Sequence, residues 1–82
     1  MTIDEMRREL IIEERRKYAI KKANVTRKYK KKQISEFSRK LHIEFLNSEC
    51  DLRVREIEDL PDKKVKSLFN KLLEKRNKSS TQ

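Results

Sequence analysis

Glycine and tryptophan are absent from this 82-residue chain, and proline, histidine and cysteine each occur once. Without glycine, the chain cannot form the glycine-rich loops that hold nucleotide phosphates. It also lacks most of the turn-forming residues on which disordered linkers and β-rich domains depend. Glu, Lys, Arg, Leu and Ile dominate instead, as they do in long or coiled helices. These features predict an all-α protein with coiled-coil character.

The single histidine and the single cysteine argue against a metal site and against catalysis. His42 and Cys50 would need two further ligands to hold zinc, and on a helix they lie about 80° apart around the axis. We expect His42 on a helix surface and Cys50 as a small apolar core residue. The plentiful carboxylates suit ion pairs between successive helix turns better than acid–base catalysis. We therefore predict no enzymatic activity and no cofactor.

Long apolar runs are also lacking. No stretch of roughly 18 apolar residues occurs, so we expect no membrane span. The first residues are acidic and arginine-rich, unlike a secretory signal. A lone cysteine cannot form an internal disulfide, which favours a cytoplasmic or, alternatively, a nuclear location.

The predicted first helix has a distinct start. Thr2 followed by Glu5 has the spacing of a capping box, so the helix is expected to begin at Ile3. We predict one long basic and amphipathic helix over residues 3–60, which would extend ~85 Å. The alternative is a break near Asn47 and Ser48, with Ser48 capping a new helix.

The middle of this helix carries two apolar stripes. At ~100° per residue, one side holds Ile34, Phe37, Leu41, Phe45 and Leu52, and roughly the opposite side holds Ile43, Leu46, Cys50, Val54 and Ile57. A surface helix normally shows one stripe. Two opposed stripes predict a helix that lies between two neighbours.

The only proline divides the chain near its end. Pro61 lacks a backbone N–H and restricts Leu60, so it ends or kinks the long helix or starts a new one. A short amphipathic helix is predicted over residues 62–77, with the apolar stripe Val65, Leu68, Phe69, Leu72 and Leu73. Residues 1–77 then form a single helical region, and residues 78–82 a disordered tail.

The predicted rod cannot bury its own apolar stripes. Charged residues make up 45% of the chain and hydrophobic residues 34%, and the entropy of ordering largely cancels the gain from burying the last stripe. We therefore predict that another helical chain, in a hetero- or homo-oligomer, supplies the missing burial. The predicted partner-binding residues are Ile34, Phe37, Leu41, Phe45, Leu52, Ile43, Leu46, Val54, Ile57, Val65, Leu68, Phe69 and Leu72.

Charge is distributed unevenly along the chain. The net charge of +9 combines +7 over residues 1–33, −3 over residues 34–60 and +5 over residues 61–82. The first segment contains a run of ten bases without an acid, which indicates nonspecific nucleic-acid contact, nuclear import or an acidic protein surface. The alternative is a solvated helix face. The candidate polyanion-binding residues are Arg15, Arg16, Lys17, Lys21, Lys22, Arg27, Lys28, Lys30, Lys31 and Lys32.

Several segments resemble the helical N-terminal half of the E subunits of V-type ATPases, a family of peripheral-stalk proteins. The similar segments are residues 29–34 (YKKKQI), 46–54 (LNSECDLRV), 58–60 (EDL) and 78–81 (KSST), in the family's order and with little gapping. Residues 9–15 (ELIIEER) resemble the family's acidic-aromatic-basic segment. The resemblance implies a stator component of a proton-translocating ATPase that pairs with a second stalk helix. Two departures are Pro61, which interrupts the expected stalk helix, and the missing counterpart of the globular C-terminal domain.

A second resemblance is to the N-terminal helix region of the Borealin family of chromosomal passenger proteins. In that family a basic stretch precedes a helix that packs between two partners and ends in Leu-Pro, and residues 30–37 and 60–61 are similar to those features. This resemblance implies a chromosome-associated adaptor that takes part in a three-helix bundle.

Together these features predict a non-catalytic helical assembly subunit, with a stalk-like role as the leading hypothesis. The competing hypothesis is a basic, nucleic-acid- or chromosome-associated helical adaptor. Salt-dependent binding to duplex DNA distinguishes the two.

Overall fold

The computed structural model describes residues 1–80, which form three helices and, within that range, no strand. They are α1 (Ile3–Lys30), α2 (Glu36–Asp59) and α3 (Asp62–Ser80). The all-α class predicted from composition is confirmed. The long first helix and the shorter C-terminal helix are confirmed as well.

The start of α1 is the one that the sequence predicts. The backbone N–H of Glu5 donates to Thr2 Oγ1 at 3.2 Å, and Asp4 and Glu5 occupy the first turn. The cap satisfies a donor that the helix cannot satisfy itself, and the two acids lie at the positive end of the helix dipole.

The prediction of one continuous helix over residues 3–60 is wrong, because a turn separates α1 from α2. The N–H of Gln33 donates to the Lys28 carbonyl and that of Lys32 to the Tyr29 carbonyl, each at 2.9 Å. These are the two hydrogen bonds of a Schellman C-cap. Lys32 takes the left-handed conformation, with φ 61°, at the position where glycine is usual. The helix therefore ends without the residue that normally marks such an end.

The alternative break at Asn47 and Ser48 is wrong too, since α2 runs through both residues. The serine that caps α2 is Ser35, whose Oγ accepts from the Ser38 N–H at 3.1 Å. Asn47 lies on the helix surface and its side-chain carbonyl accepts from Lys22 Nζ of α1 at 3.0 Å.

Pro61 separates α2 from α3. Leu60 is extended, with φ −66° and ψ 140°, as expected for a residue before proline. The Pro61 carbonyl accepts from the N–H groups of Lys64 and Val65. The third helix then runs to Ser80, three residues beyond the predicted end at residue 77. Residues 78–80 of the predicted tail are therefore helical, and residues 81–82 lie outside the described residues.

The turn folds the chain back on itself, so that α1 packs against both α2 and α3. The molecule measures 44 × 34 × 14 Å, about half the length of the rod expected from a continuous helix. Its buried apolar side chains in the described range are Tyr18, Val54, Ile57, Val65 and Phe69. The chain therefore buries part of its own stripes, which the rod could not do.

Candidate interaction surfaces

One of the two stripes on α2 remains uncovered. We define the outer face of α2 as Phe37, Leu41, Phe45 and Leu52, whose exposed fractions are 71, 49, 66 and 59%. Ile34, which precedes α2 in the turn, is half-buried. The face occupies about 22 Å of helix at 1.5 Å per residue.

The opposite stripe of α2 faces α1. Val54 and Ile57 are buried, and Ile43, Leu46 and Cys50 are half-buried. The sequence predicts a neighbour for each apolar side of α2, and α1 is the neighbour of one of them. The described chain supplies no helix for the outer face.

The stripe of α3 is largely used within the chain. Val65 and Phe69 are buried and Leu72 is half-buried, whereas Leu68 and Leu73 lie at the exposed margins. Predicted partner-binding side chains on this stripe therefore pack inside the fold, as Val54 and Ile57 do on α2. The structure leaves the outer face of α2 as the predicted partner-binding set that is free to make contacts.

An apolar cleft of about 490 Å³ separates α2 from α3, because both helices pack on α1 and touch each other little. Leu10 contributes to its floor, and Ile57, Leu60, Leu68 and Leu72 to its walls. The carboxylates along its rim are engaged: Glu14 lies 3.5 Å from Lys17 Nζ and Glu56 lies 3.3 Å from Arg53 Nη1.

The predicted polyanion-binding residues fall into two groups. Those in the middle of α1 are mostly engaged within the chain. Lys17 pairs with Glu14, Arg16 pairs with Glu13 at 3.9 Å, Lys21 lies 4.7 Å from the centre of the Tyr18 ring and Lys22 binds Asn47. Arg15 is exposed. Five others are exposed at the end of α1 and in the turn, and we call them the basic tip: Arg27, Lys28, Lys30, Lys31 and Lys32.

No ion pair of the basic tip occurs within the described residues. Part of the positive charge of the basic tip stabilises α1 itself, because cations near a helix C-terminus interact favourably with the helix dipole. On one continuous helix, ten bases between Arg15 and Lys32 would spread around most of the circumference. The structure instead places five of the unengaged bases at one end of the molecule, while Arg15 lies apart in the middle of α1.

Arg7 joins all three helices, and sequence reasoning missed it. Its Nη1 donates to the backbone carbonyls of Ile57, Glu58 and Leu60 at 2.6, 3.0 and 2.9 Å, and its Nη2 lies 3.3 Å from Asp62 Oδ1. We call this set of contacts the Arg7 clasp. The last turn of α2 contains no basic residue, so Arg7 supplies the cation that the helix C-terminus favours.

Tyr18 anchors the hairpin between α1 and α2. Its ring is buried and its hydroxyl donates to Glu49 Oε1 at 2.8 Å. Burial raises the pKa of Tyr18 above its ordinary value, and the hydrogen bond to Glu49 raises that pKa further, while Arg53 opposes the rise. The neutral phenol is therefore favoured in the folded chain.

His42 is exposed and Cys50 half-buried, and no group of three or more potential metal ligands occurs among residues 1–80. Over the same part of the chain, no helix combines the length and the apolar character needed to cross a bilayer.

Comparison with models of protein families, with curated proteins and with solved structures yielded no match. The function is therefore inferred from the surfaces themselves.

Proposed function

We propose that this protein is a non-catalytic assembly subunit, in which α2 binds a helix of another protein chain through its outer face. The observation that carries the proposal is the exposure of Phe37, Leu41, Phe45 and Leu52 along one side of α2. At the edge of this side, Phe45 lines a groove with Lys28 of α1. Two phenylalanines and two leucines along one line are unusual on the surface of a small monomer.

The spacing of the outer face favours a helical occupant. Leu41, Phe45, Ser48 and Leu52 follow one another at intervals of four, three and four residues, the repeat by which paired helices interlock. Ser48 breaks the apolar character at one position only. Full burial of a large apolar side chain contributes about 1.5–3 kcal/mol, so the four exposed side chains can stabilise a complex substantially.

A stalk-like role, as a stator component of a V-type proton-translocating ATPase, is the specific form of this proposal that the resemblance to the peripheral-stalk family supports. Residues 46–54, the longest of the similar segments, lie in α2, and the partner would be the second stalk helix. Residues 29–34 of the same resemblance cover the last two residues of α1 and the turn after it, rather than a straight helix. A stalk component of this shape would contribute a helical hairpin to the assembly.

The basic tip favours a second candidate, a nucleic-acid- or chromosome-associated adaptor. Five cations within six residues, at the end farthest along α1 from its start, form a compact electrostatic contact for phosphates. In this version α2 still binds a helical partner, and the basic tip attaches the assembly to a polyanion.

Site-specific photo-crosslinking tests the proposed function. A photoreactive residue in place of Phe45 should capture one defined protein in native extract, and mass spectrometry should place the adduct in a helical segment of it. The same residue in place of Leu73, on the margin of α3, is the matched control. With the recombinant partner, Leu41→Asp should weaken binding at least about tenfold, and Leu73→Asp should leave it unchanged. A partner that crosslinks only from position 73, or that binds Leu41→Asp normally, would contradict the proposal.

A further inference from the structure

Acidic residues line both margins of the outer face of α2. Glu44, Asp51 and Glu58 recur every seven residues and are exposed. Seven residues return a helix to nearly the same direction, so the three carboxylates form a straight row beside the apolar stripe. Within residues 1–80, none of the three takes part in an ion pair. We call this row the acidic margin.

The other side of the outer face is acidic as well. Glu49 and Glu56 are also seven residues apart. They are engaged locally, Glu49 by the Tyr18 hydroxyl and Glu56 by Arg53 at 3.3 Å. The unengaged charge therefore lies on the acidic margin.

Basic residues are missing between Leu41 and Leu52 of the outer face, and Arg53 and Arg55 follow this segment. Residues 41–52 contain no Lys and no Arg, although the chain as a whole carries a net charge of +9. Lys40 is held by Glu36 at 3.8 Å, and the Arg39 guanidinium lies 4.9 Å from the centre of the Tyr29 ring. The outer face is thus an apolar stripe with an unengaged acidic border on one side, at whose end the exposed Arg55 lies. On its other side, Lys21 and Lys28 of α1 line a groove with Phe45.

We propose that the helix which binds the outer face is amphipathic and basic, with Lys or Arg on the side of its apolar stripe that faces the acidic margin. This inference rests on the proposed function and specifies the partner at that same site. In paired helices the residues that flank the apolar seam face each other and determine which helices pair. Bases opposite Glu44, Asp51 and Glu58 would convert the acidic margin from an unpaired row into interhelical ion pairs.

A second copy of this chain does not fit the site. An antiparallel symmetric pairing of two outer faces would place one acidic margin against the other, and a parallel one would place it against Glu49 and Glu56; like charges repel in both. An asymmetric pairing would require a free, basic apolar stripe elsewhere. The exposed large apolar residues of α1 after its start are Ile12, Ile20 and Tyr29, and those of α3 are Leu68 and Leu73. Neither set forms a continuous stripe.

The net charge of the whole chain and the local charge of the acidic margin favour the binding of oppositely charged peptides. The net charge of +9 attracts an acidic peptide over long distances and repels a basic one. Asp51 lies ~22 Å along α2 from its first residue, more than two Debye lengths of ~8 Å at physiological salt. At contact, Asp51 and Glu58 of the acidic margin should therefore dominate over the basic tip, whereas Lys28 of the basic tip lines a groove with Phe45.

The probes are three fluorescent 18-residue helical peptides with the same leucine stripe and with Lys, Gln or Glu on its flanks. Fluorescence anisotropy with the full chain should show the Lys peptide binding at least about tenfold more tightly than the Glu peptide, and the gap should shrink at high salt. The triple variant Glu44→Gln, Asp51→Asn and Glu58→Gln should abolish the preference. The triple variant Ala19→Lys, Ala23→Lys and Asn70→Lys, which raises the net charge equally at exposed positions away from α2, should retain it.

The outcomes separate the two proposals. If Leu41→Asp abolishes binding but the Glu peptide binds as well as the Lys peptide, the outer face is an interface and the basic partner is wrong. If no peptide binds, or if Leu41→Asp binds all three normally, the proposed function fails. Sedimentation velocity of the chain alone should give a monomer. A dimer that Leu41→Asp dissolves would make a second copy the occupant and overturn the inference.

Discussion

At the scale of single residues, Arg7 makes four long-range side-chain hydrogen bonds, more than any other residue in the described range. One guanidinium binds three carbonyls at the end of α2 and the first acid of α3, and its side chain is only 20% exposed. Hydrogen bonds from a charged donor are stronger than neutral ones. The Arg7 clasp therefore both caps α2 and fixes the position at which α3 starts.

Replacement of Arg7 by Met should lower the free energy of unfolding by about 1.5–3 kcal/mol, the range for a lost charged hydrogen bond. Urea denaturation followed by circular dichroism measures the change. Asp62→Asn removes only the ion pair, whose carboxylate is 72% exposed, and should have an effect below about 1 kcal/mol. Equal effects of both variants would mean that the carbonyl contacts contribute nothing.

Lys32 is a second residue that affects the free energy of unfolding, although its side chain is exposed. A residue with a Cβ in the left-handed region is less stable than glycine there by about 1 kcal/mol. Lys32→Gly should therefore raise the unfolding free energy by up to about that amount. Lys31→Gly, at the adjacent cap with φ −82°, relieves no strain and should lower the stability. A decrease for Lys32→Gly in thermal melts would show that this turn does not adopt the described conformation.

Tyr18 predicts a pH dependence. Because its pKa is raised in the folded chain, the neutral hydroxyl stabilises the fold below pH 10, and this stabilisation is lost as the pH rises above 10. Melting temperatures measured between pH 9 and about 11.5 should fall more for the wild type than for Tyr18→Phe. Lysines titrate in the same range in both proteins, so the difference between the two isolates the phenol. Parallel curves would contradict the role of Tyr18.

At the scale of elements, α3 is attached to the molecule through few side chains. Phe69 and Val65 are its buried residues, and Arg76 adds ion pairs with Glu9 and Glu13 at 3.6 and 3.5 Å. The Arg76 pairs are largely solvent-accessible and contribute little. The docking of α3 thus depends mainly on two apolar contacts.

Phe69→Ala should remove about 3 kcal/mol or more, the usual effect of truncating a buried phenylalanine. This is a large fraction of the stability of so small a fold. We expect α3 to detach and lose helicity, because short isolated helices are marginal in water. Hydrogen exchange by NMR should show rapid exchange confined to residues 62–80. Leu73→Ala, at the exposed margin, is the control and should leave protection intact.

The elements that sequence could predict are those marked by local chemistry. Thr2 with Glu5 marks the start of α1, and Pro61 marks the boundary before α3. The end of α1 could not be predicted, because Lys32 occupies a left-handed position without being glycine and the capping pair Ser35 and Ser38 lacks the usual glutamate. Because this turn was not predicted, the sequence led to the wrong expectation of one continuous helix over residues 3–60.

Only part of the candidate site could be predicted from the sequence. Periodicity identified both stripes of α2, but it could not determine which one α1 covers. The acidic margin is visible in the sequence as a seven-residue repeat of Glu44, Asp51 and Glu58, a signal that counting net charge by segment conceals. The Arg7 clasp joins residues more than 50 positions apart, so no local pattern reveals it.

At the scale of the whole molecule, the charge is separated in space. The basic tip lies at the turn, and the acidic margin lies along the side of α2. Such a molecule can present phosphate contacts and a protein interface at once. The two surfaces should then be separable by mutation.

Duplex DNA should bind the basic tip weakly, without sequence preference, and more weakly as salt rises. Each phosphate contact contributes ~0.9 to the slope of log affinity against log salt, so Lys30→Gln, Lys31→Gln and Lys32→Gln together should lower the slope by up to about 3. Replacement of Lys17, Lys21 and Lys22, which are engaged within the chain, should lower it less. Wild-type chain that fails to bind DNA even at low salt would leave the basic tip as a solvated helix end and favour the stalk-like role.

The Arg7 clasp also has a consequence for the order in which the chain closes on itself. Arg7 precedes the first carbonyl that it binds by 50 positions. The contact between Tyr18 and Glu49 spans only 31 positions. Because the entropy lost on closing a loop grows with its length, the shorter loop closes at the lower cost. Once α1 and α2 have paired as a hairpin, Arg7 already lies beside the end of α2, and the clasp then needs little further ordering of the chain.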